Sequence, residues 1–343
     1  MEEQARPHLS TRRNTMSENV QTSTGATDVC VIIPTFRRPD GLKRALGSVA
    51  AQVGLDQINL SVIVCDNSPD AGARSFVESY PIHYFLKYVH EPRPGVANAR
   101  NHAVAVCEAN YVAFLDDDEE APQDWISNLV QIQERFAADV VFGPVYARLS
   151  SPTTRYDSYF ASFFSRIGAA ESEVLSSYYG CGNSLISRNC MIGPQPFSTE
   201  LNDFGGEDDQ LFHRLMQDGA QFAWAADAFV YEDVPPSRKR LSYTLRRAFN
   251  FGQGPSYTAA KAGKTWSAVA WMLKGLIQAT VMTPIGLILL LLRRPEAAPT
   301  LDKAVRGLGK LIWFVSFRFY GSALLSKRDI NTSNETKTLS ISN

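Results

Sequence analysis

Apolar positions recur along this chain with two periods, and the two alternate. Residues 28–33 form a short apolar, β-branched run that reads as a strand closed by Pro34. Leu42, Ala45, Leu46, Val49, Ala50 and Val53 then follow at helical spacing, with Pro39 placed for the first turn. Residues 60–64 predict a second buried strand, 86–90 a third, and 111–115 a fourth. Residues 95–108 and 125–136 predict helices between and after them, and 140–142 begin another strand. Strands separated by helices of this length predict an α/β fold with a doubly wound, mixed but mainly parallel sheet and helices on both faces.

In such sheets ligands bind beyond the carboxyl ends of the strands. Three polar clusters fall at those ends: Pro34-Thr35-Phe36-Arg37, Asp66-Asn67 and Asp116-Asp117-Asp118. They are distant in sequence, and the predicted topology brings them to one edge.

Beyond residue 150 the alternation becomes irregular. Residues 155–167 are aromatic-rich, and 178–188 contain Gly180, Gly182 and Asn183. Phe204-Gly205-Gly206-Glu207-Asp208-Asp209 reads as a turn before a helix over 210–218, and 222–232 as a strand pair. Residues 237–247 are basic. From 276 to 292 no residue is charged, and the run closes with Ile288-Leu289-Leu290-Leu291-Leu292 before Arg293-Arg294. Pro284 and Gly286 are expected to kink it. A second apolar stretch, 311–319, carries Arg318 and is flanked by Lys310, Lys327 and Arg328. Tryptophan, tyrosine and arginine beside apolar runs of this length favour membrane contact over a pair of buried helices. The expected plan is a disordered tail over 1–27 without a secretory signal, a catalytic domain over 28–235, a basic and apolar helical membrane-associated region over 236–330, and a polar tail over 331–343.

Composition removes some alternatives. Of 343 residues 45% are hydrophobic and 20% charged, enough for a sizeable core, and the net charge of −1 leaves no basic excess for nucleic acid. Cys30, Cys65, Cys107, Cys181 and Cys190 include no CxxC pair and read as reduced, buried thiols in a cytosolic compartment. The five histidines are scattered and suggest no metal cluster.

The acidic clusters carry the candidate chemistry. Three consecutive carboxylates after a buried strand repel one another, and a divalent cation with a diphosphate offsets that; hard oxygen ligands suit Mg²⁺ or Mn²⁺. If the triplet is extended, Asp116 and Asp118 face one way and Asp117 the other. Asp118 then holds metal while Asp116 meets a sugar hydroxyl of the nucleotide. Asp66 reads either as an acceptor for a base N–H or as a turn carboxylate. Glu207-Asp208-Asp209 reads either as helix N-terminal acids or as the source of a general base, with Gly205-Gly206 letting a substrate approach. Arg100 reads as a phosphate or base contact, or as a surface salt bridge. Arg246-Arg247, with Arg238, Lys239 and Arg240, suits a donor diphosphate, anionic lipid, or a solvated basic helix equally.

The stretches Val31-Ile32-Ile33-Pro34-Thr35-Phe36-Arg37-Arg38, Ile63-Val64-Cys65-Asp66-Asn67, Gly95-Val96-Ala97-Asn98-Ala99-Arg100-Asn101, Phe114-Leu115-Asp116-Asp117-Asp118 and Gly205-Gly206-Glu207-Asp208-Asp209 occur in an order and spacing that resemble the family 2 glycosyltransferases with the GT-A fold. The resemblance covers roughly residues 28 to 235. It implies inverting transfer of a sugar from a nucleoside-diphosphate donor, with UDP the expected carrier, to a saccharide or polyprenyl-linked saccharide. By the family pattern Asp66 reads the base, Asp116 the ribose, Asp118 binds Mg²⁺ or Mn²⁺ and Asp208 is the base. Pro34, Thr35, Arg37, Arg100 and Asp117 complete the donor site, and Glu207 and Arg247 are expected to contact acceptor or diphosphate. Many relatives place a histidine near the end of the catalytic domain; here Val230-Tyr231-Glu232-Asp233-Val234-Pro235 has none, and Glu232 is the candidate substitute ligand. The apolar C-terminal region is similar to that of bacterial members acting on lipid-linked saccharides, which implies membrane lipids as partners and a place at the cytoplasmic face of the inner membrane. Two competing readings are a sugar-1-phosphate nucleotidyltransferase, which should carry a glycine-rich loop after the first strand, and a non-catalytic nucleotide-binding membrane scaffold.

Overall fold

The computed structural model describes residues 25–202 and 205–315. Most of the expected N-terminal tail, Phe204, the end of the second apolar stretch with Arg318, Lys327 and Arg328, and the expected tail over 331–343 lie outside the described residues.

In chain order the elements are β1 (Thr27–Thr35), α1 (Pro39–Ala50), β2 (Ile58–Asp66), α2 (Arg74–Glu78), β3 (Phe85–His90), α3 (Val96–Ala105), β4 (Tyr111–Phe114), β5 (Glu119–Glu120), α4 (Trp125–Phe136), β6 (Val140–Phe142) and β7 (Val145–Leu149). There follow α5 (Asp157–Phe164), β8 (Glu173–Leu175), β9 (Ser184–Ser187), α6 (Glu207–Gln217), β10 (Phe222–Trp224), β11 (Val230–Val234), α7 (Leu241–Lys261), α8 (Thr265–Leu291) and α9 (Ala297–Leu311). An eight-stranded sheet has the order β3-β2-β1-β4-β9-β6-β10-β8, and a three-stranded sheet the order β5-β11-β7. In the larger sheet every strand but β8 and β9 runs the same way. The α/β fold with a mixed, mainly parallel sheet is therefore as the periodicity predicts.

Alternation along β1 explains the layers. Val29, Val31 and Ile33 enter one core with Leu42, Leu46 and Val49 of α1 and Trp125 and Leu129 of α4. Cys30 and Ile32 enter the other, with Ala99 and Ala103 of α3 and Phe212 of α6. Each aliphatic side chain buried this completely contributes about 1.5–3 kcal/mol, so a slip of one residue in β1 would reverse both faces at once.

Several expectations shift. The first strand does not stop at Pro34: it continues to Thr35, pairing Pro34 with Cys65. The ladder to β4 has already ended at Ile32, so the missing N–H of proline interrupts no rung there. Residues 222–232 are not one strand pair, since β10 joins the large sheet and β11 the small one. The uncharged C-terminal run is one continuous helix, α8, with Pro284 inside it. It packs against α9, where a Cβ on Gly275 would come within 2.5 Å of the Gly307 carbonyl oxygen.

Candidate active site

The C-terminal ends of β1, β2 and β4 meet at one edge of the sheet, with Thr35 paired to Asp66 and Ile32 to Phe114. After β4 the chain leaves extended geometry. Residues 117 and 118 form a turn, and the Glu119 N–H donates back to the Asp116 carbonyl at 3.0 Å. The strand-like alternation expected for the triplet therefore does not apply.

The three carboxylates have different surroundings. Asp117 is 5% exposed and directed inward. It accepts from Thr35 Oγ1 at 2.9 Å, the Phe36 N–H at 3.2 Å and Arg38 Nη1 at 2.7 Å. Burial pushes it up to about 6 despite Arg38. Asp118 accepts from Arg38 Nη1 at 2.7 Å and Arg238 Nη1 at 2.9 Å. Against the effect of burial, Arg238 and Arg38 hold it below the usual carboxylate range. Asp116 is the most open of the three, 3.4 Å from Arg100 Nη2.

Arg100 is not on the surface. It is 5% exposed and pairs with Glu207 Oε1 at 2.8 Å, so it ties α3 to the start of α6 beside Asp116. Its guanidinium lies over the rings of Phe114 and Phe197, at 5.9 and 5.6 Å. Glu207 is buried in this pair rather than open to an acceptor, and burial, then Asp208, pushes it up to about 7. Its neighbour Asp208 is half-buried. One oxygen of Asp208 accepts from the Cys181 N–H at 3.0 Å and the other from the Asp209 N–H at 2.9 Å. Gly205 and Gly206, at φ 78° and 93°, turn the chain into α6 in a left-handed conformation; that backbone, more than substrate approach, calls for glycine here.

The segment Gly180-Cys181-Gly182 links Asp208 to the triplet. A Cβ on Gly182 would lie 3.0 Å from both Asp116 Oδ2 and Glu119 Oε1. Arg166 holds this segment by donating to the carbonyls of Gly180 at 2.7 Å and Gly182 at 2.5 Å. Asn183, at φ 50°, follows and accepts from Trp125 Nε1 at 2.7 Å.

Glu232 on β11 pairs in register with Glu119, and the Asp233 N–H donates to the Asp118 carbonyl at 2.9 Å. Arg238 lies between Asp118 and Glu232, 3.5 Å from the latter. Burial and then Asp118 push Glu232 up to about 7, and burial and then Asp116 hold Glu119 well above the usual range. Hard oxygen donors under mutual repulsion suit a divalent cation in chemistry. Among the described residues no three His, Cys, Asp or Glu side chains already stand as a metal cage. Arg247 is near enough to lower Glu232 slightly, against the effects of burial and Asp118, and lies over the rings of Phe251 at 5.2 Å and Phe164 at 6.0 Å.

Two sequence candidates at this edge are engaged by neighbours outside the triplet. Arg37, at φ 51°, is 3.7 Å from Asp70, while the next residue, Arg38, reaches the triplet. Asp66 is fully buried and accepts from the N–H and hydroxyl of Ser68, from the Ala73 N–H at 2.9 Å and from Tyr88 Oη at 3.1 Å. That is the turn role. Sequence reading missed Arg38, Glu119, Arg166 and Gly182 as parts of the site and did not place Arg238 at Asp118. The glycines around Cys181 were the available signal for Gly182; nothing in the sequence separates Arg38 from Arg37.

The family model for Glycosyl transferase family 2 matches residues 30–191. Succinoglycan biosynthesis protein ExoM of Rhizobium meliloti (strain 1021) is 32% identical over 223 residues, covering 64% of this chain and 71% of that protein. Pre-mycofactocin glycosyltransferase of Mycobacterium tuberculosis (strain CDC 1551 / Oshkosh) is 27% identical over 273 residues, 76% of this chain but 53% of its own length. Among solved structures, mannosyltransferase PcManGT from Pyrobaculum calidifontis, in complex with GDP-Man and Mn2+, superposes with a TM-score of 0.56 at 18% identity over 85% of this chain and 89% of that one. That structure shares the fold. With a relative of this identity and coverage, the chain belongs to the family 2 glycosyltransferases.

Proposed function

We propose that this glycosyltransferase moves a sugar, with inversion, from a UDP-sugar donor to a saccharide or polyprenyl-linked saccharide acceptor in bacterial surface polysaccharide synthesis, working at the cytoplasmic face of the membrane. The catalytic unit is residues 28–235 and the membrane-associated unit follows it. The likeness to ExoM, a succinoglycan biosynthesis protein, supports the polysaccharide setting.

The observation that carries the reading is the three-residue bridge Gly180-Cys181-Gly182, with Asp208 against its first half and Asp116 against its second. A donor seated at the triplet is thereby brought beside a half-open carboxylate. The acceptor hydroxyl oxygen bonds to the anomeric carbon as the bond from that carbon to the diphosphate oxygen breaks. The hydroxyl proton passes to Asp208, and the diphosphate leaves with the bonding electrons. Arg100 pairs with Glu207 and leaves Asp208 with backbone N–H partners, Cys181 and Asp209.

Asp116 takes the ribose. Asp118, with Glu232, would hold Mg²⁺ or Mn²⁺, and a cation there would neutralise charge on the departing diphosphate. Asp117 positions the site, since Thr35, Phe36 and Arg38 occupy it. Asp66 shapes the base pocket through its turn. Arg38, Arg238 and Arg247 supply positive charge beside the diphosphate.

A donor panel tests this by thermal shift, with each nucleotide sugar measured with and without Mn²⁺. Stabilisation by a UDP-sugar only with metal is expected. Equal stabilisation by GDP-mannose, the ligand in the Pyrobaculum structure, would remove the uracil assignment.

A further inference from the structure

Helix α8 has 27 residues and is long and apolar enough to cross a membrane. At 1.5 Å per residue it measures about 40 Å, against a hydrocarbon core of about 30 Å. Length therefore permits a span, and the packing of the helix decides the matter.

One side of α8 is open and apolar over its whole length: Trp266 is 87% exposed, Leu273 57%, Ile277 65%, Ile288 57% and Leu291 83%. The other side is covered by α9. Gly275 faces the Gly307 backbone, and Gly286 faces Leu301. Lys310 Nζ donates to Gln278 Oε1 at 3.1 Å. Helix α9 is amphipathic, and on it Arg306 pairs with Asp302 at 2.6 Å and Lys303 is exposed. It packs in turn on α7, where a Cβ on Gly252 would come within 2.4 Å of the Arg306 carbonyl oxygen.

The bundle is also fastened to the sugar-transfer domain. Tyr159 Oη on α5 lies 3.1 Å from Asp302, and Arg155 donates to the Arg293 carbonyl, just past α8, at 2.7 Å. A transmembrane α8 would draw α9, with Asp302, Lys303, Arg306 and Lys310, into hydrocarbon beside it, where ionised groups are costly. A helix lying flat needs only its open face immersed, by about 5–10 Å.

Basic groups are placed for that orientation. Lys261 and Lys264 stand before α8 and Arg293 and Arg294 after it, and the Lys274 ammonium lies 4.7 Å from the Trp271 ring, as an amphipathic side chain at an interface would. No acidic residue occurs from 261 to 295.

We infer that α8 is an in-plane anchor: it lies flat in the surface of an anionic bilayer with its Trp266–Ile277–Ile288 face immersed, and does not cross. This rests on the reading of the protein as membrane-associated. It places both ends of α8 on the same side of the bilayer as the catalytic edge.

The test uses the full chain with one added surface cysteine, Lys264→Cys or Arg294→Cys, and the parent chain as the background for native thiols. Flotation is measured with sealed vesicles of phosphatidylglycerol and phosphatidylethanolamine and with vesicles of phosphatidylcholine alone. Membrane-impermeant maleimide is then added outside. The expected result is flotation at least about tenfold stronger on the anionic vesicles, as several basic groups near the surface require, and labelling of both cysteines without lysis. Ile277→Glu with Ile288→Glu should abolish flotation while UDP-sugar hydrolysis persists. Flotation with either introduced cysteine protected until lysis would mean a span; the inference would fall and the membrane reading would stand. Absence of flotation on either vesicle would remove both, and a dimer dissociated by Ile277→Glu would assign the face to a second copy instead.

Discussion

The guanidinium of Arg100 and the carboxylate of Glu207 form a buried ion pair at 2.8 Å, both side chains below a tenth exposed. It fastens α3 to the first residue of α6, and so fixes where Asp208 stands. Above about pH 7, where Glu207 is ionised, removing it leaves Arg100 buried and charged without its partner. Glu207→Ala should lower stability by about 3–5 kcal/mol, with Asp116 at 3.4 Å offering Arg100 only a weaker partner. Denaturant unfolding checks this, and the double variant Arg100→Met with Glu207→Leu should lose less than the two single losses combined.

The same pair sets a pH dependence. Glu207 is raised from 4.5 to about 7 by burial and by Asp208. A raised carboxyl binds its proton more tightly in the folded chain than in the unfolded one. Its contribution to stability is full below the ordinary glutamate range and is lost as pH rises through about 7. Glu207→Gln removes this titration. The Tm difference between the parent and Glu207→Gln should therefore change from pH 4.5 to about 7, the window set by the two pKa values, with the parent losing ground as pH rises.

Gly41 in α1 is required by the triplet. A Cβ there would come within 2.3 Å of the Asp117 carbonyl oxygen, a backbone atom that cannot rotate away. Gly41→Ala should cost about 1–3 kcal/mol and shift the triplet. Donor affinity should fall with stability, read as a higher donor Kd at a temperature where the variant is fully folded. Unchanged affinity would show that the turn relaxes without moving Asp118.

Arg238 supplies to Asp118 the positive charge that a cation would bring, at 2.9 Å. Arg238→Ala should strengthen binding of Mn²⁺ alone, by about 5- to 150-fold if the coupling is of ordinary size. Calorimetric titration with Mn²⁺ in the absence of donor measures it. Weaker binding in the variant would place the cation away from Asp118.

Much of this was legible from the chain. Periods of two and 3.6 mark β1, β2, β4 and the helices between them, and a parallel sheet must carry Thr35, Asp66 and Asp116 to one edge. What was hidden depends on single backbone angles and on packing across long separations. Arg37 and Arg38 are chemically identical, and only the positive φ of Arg37 turns it toward Asp70 while Arg38 meets Asp117 and Asp118. Asp66 has the residue type of a base reader, yet Ser68, Ala73 and Tyr88 occupy it. A salt bridge is among the sequence readings of Arg100, but its burial between Phe114 and Phe197 joins residues 97 positions apart, 100 and 197. The contact of α5 with α9 through Tyr159 and Asp302 has no periodic signature at all.

In the proposed transfer from a UDP-sugar, Asp208 takes the acceptor proton. Asp208→Asn keeps the shape of the side chain and can still accept from the Cys181 N–H. The initial rate of sugar transfer, with Mn²⁺ and saturating donor, compared between the parent and Asp208→Asn measures this proton transfer. A fall of about 10²- to 10⁴-fold with donor-induced thermal stabilisation retained is the predicted result. A variant that transfers sugar at the parental rate would contradict it.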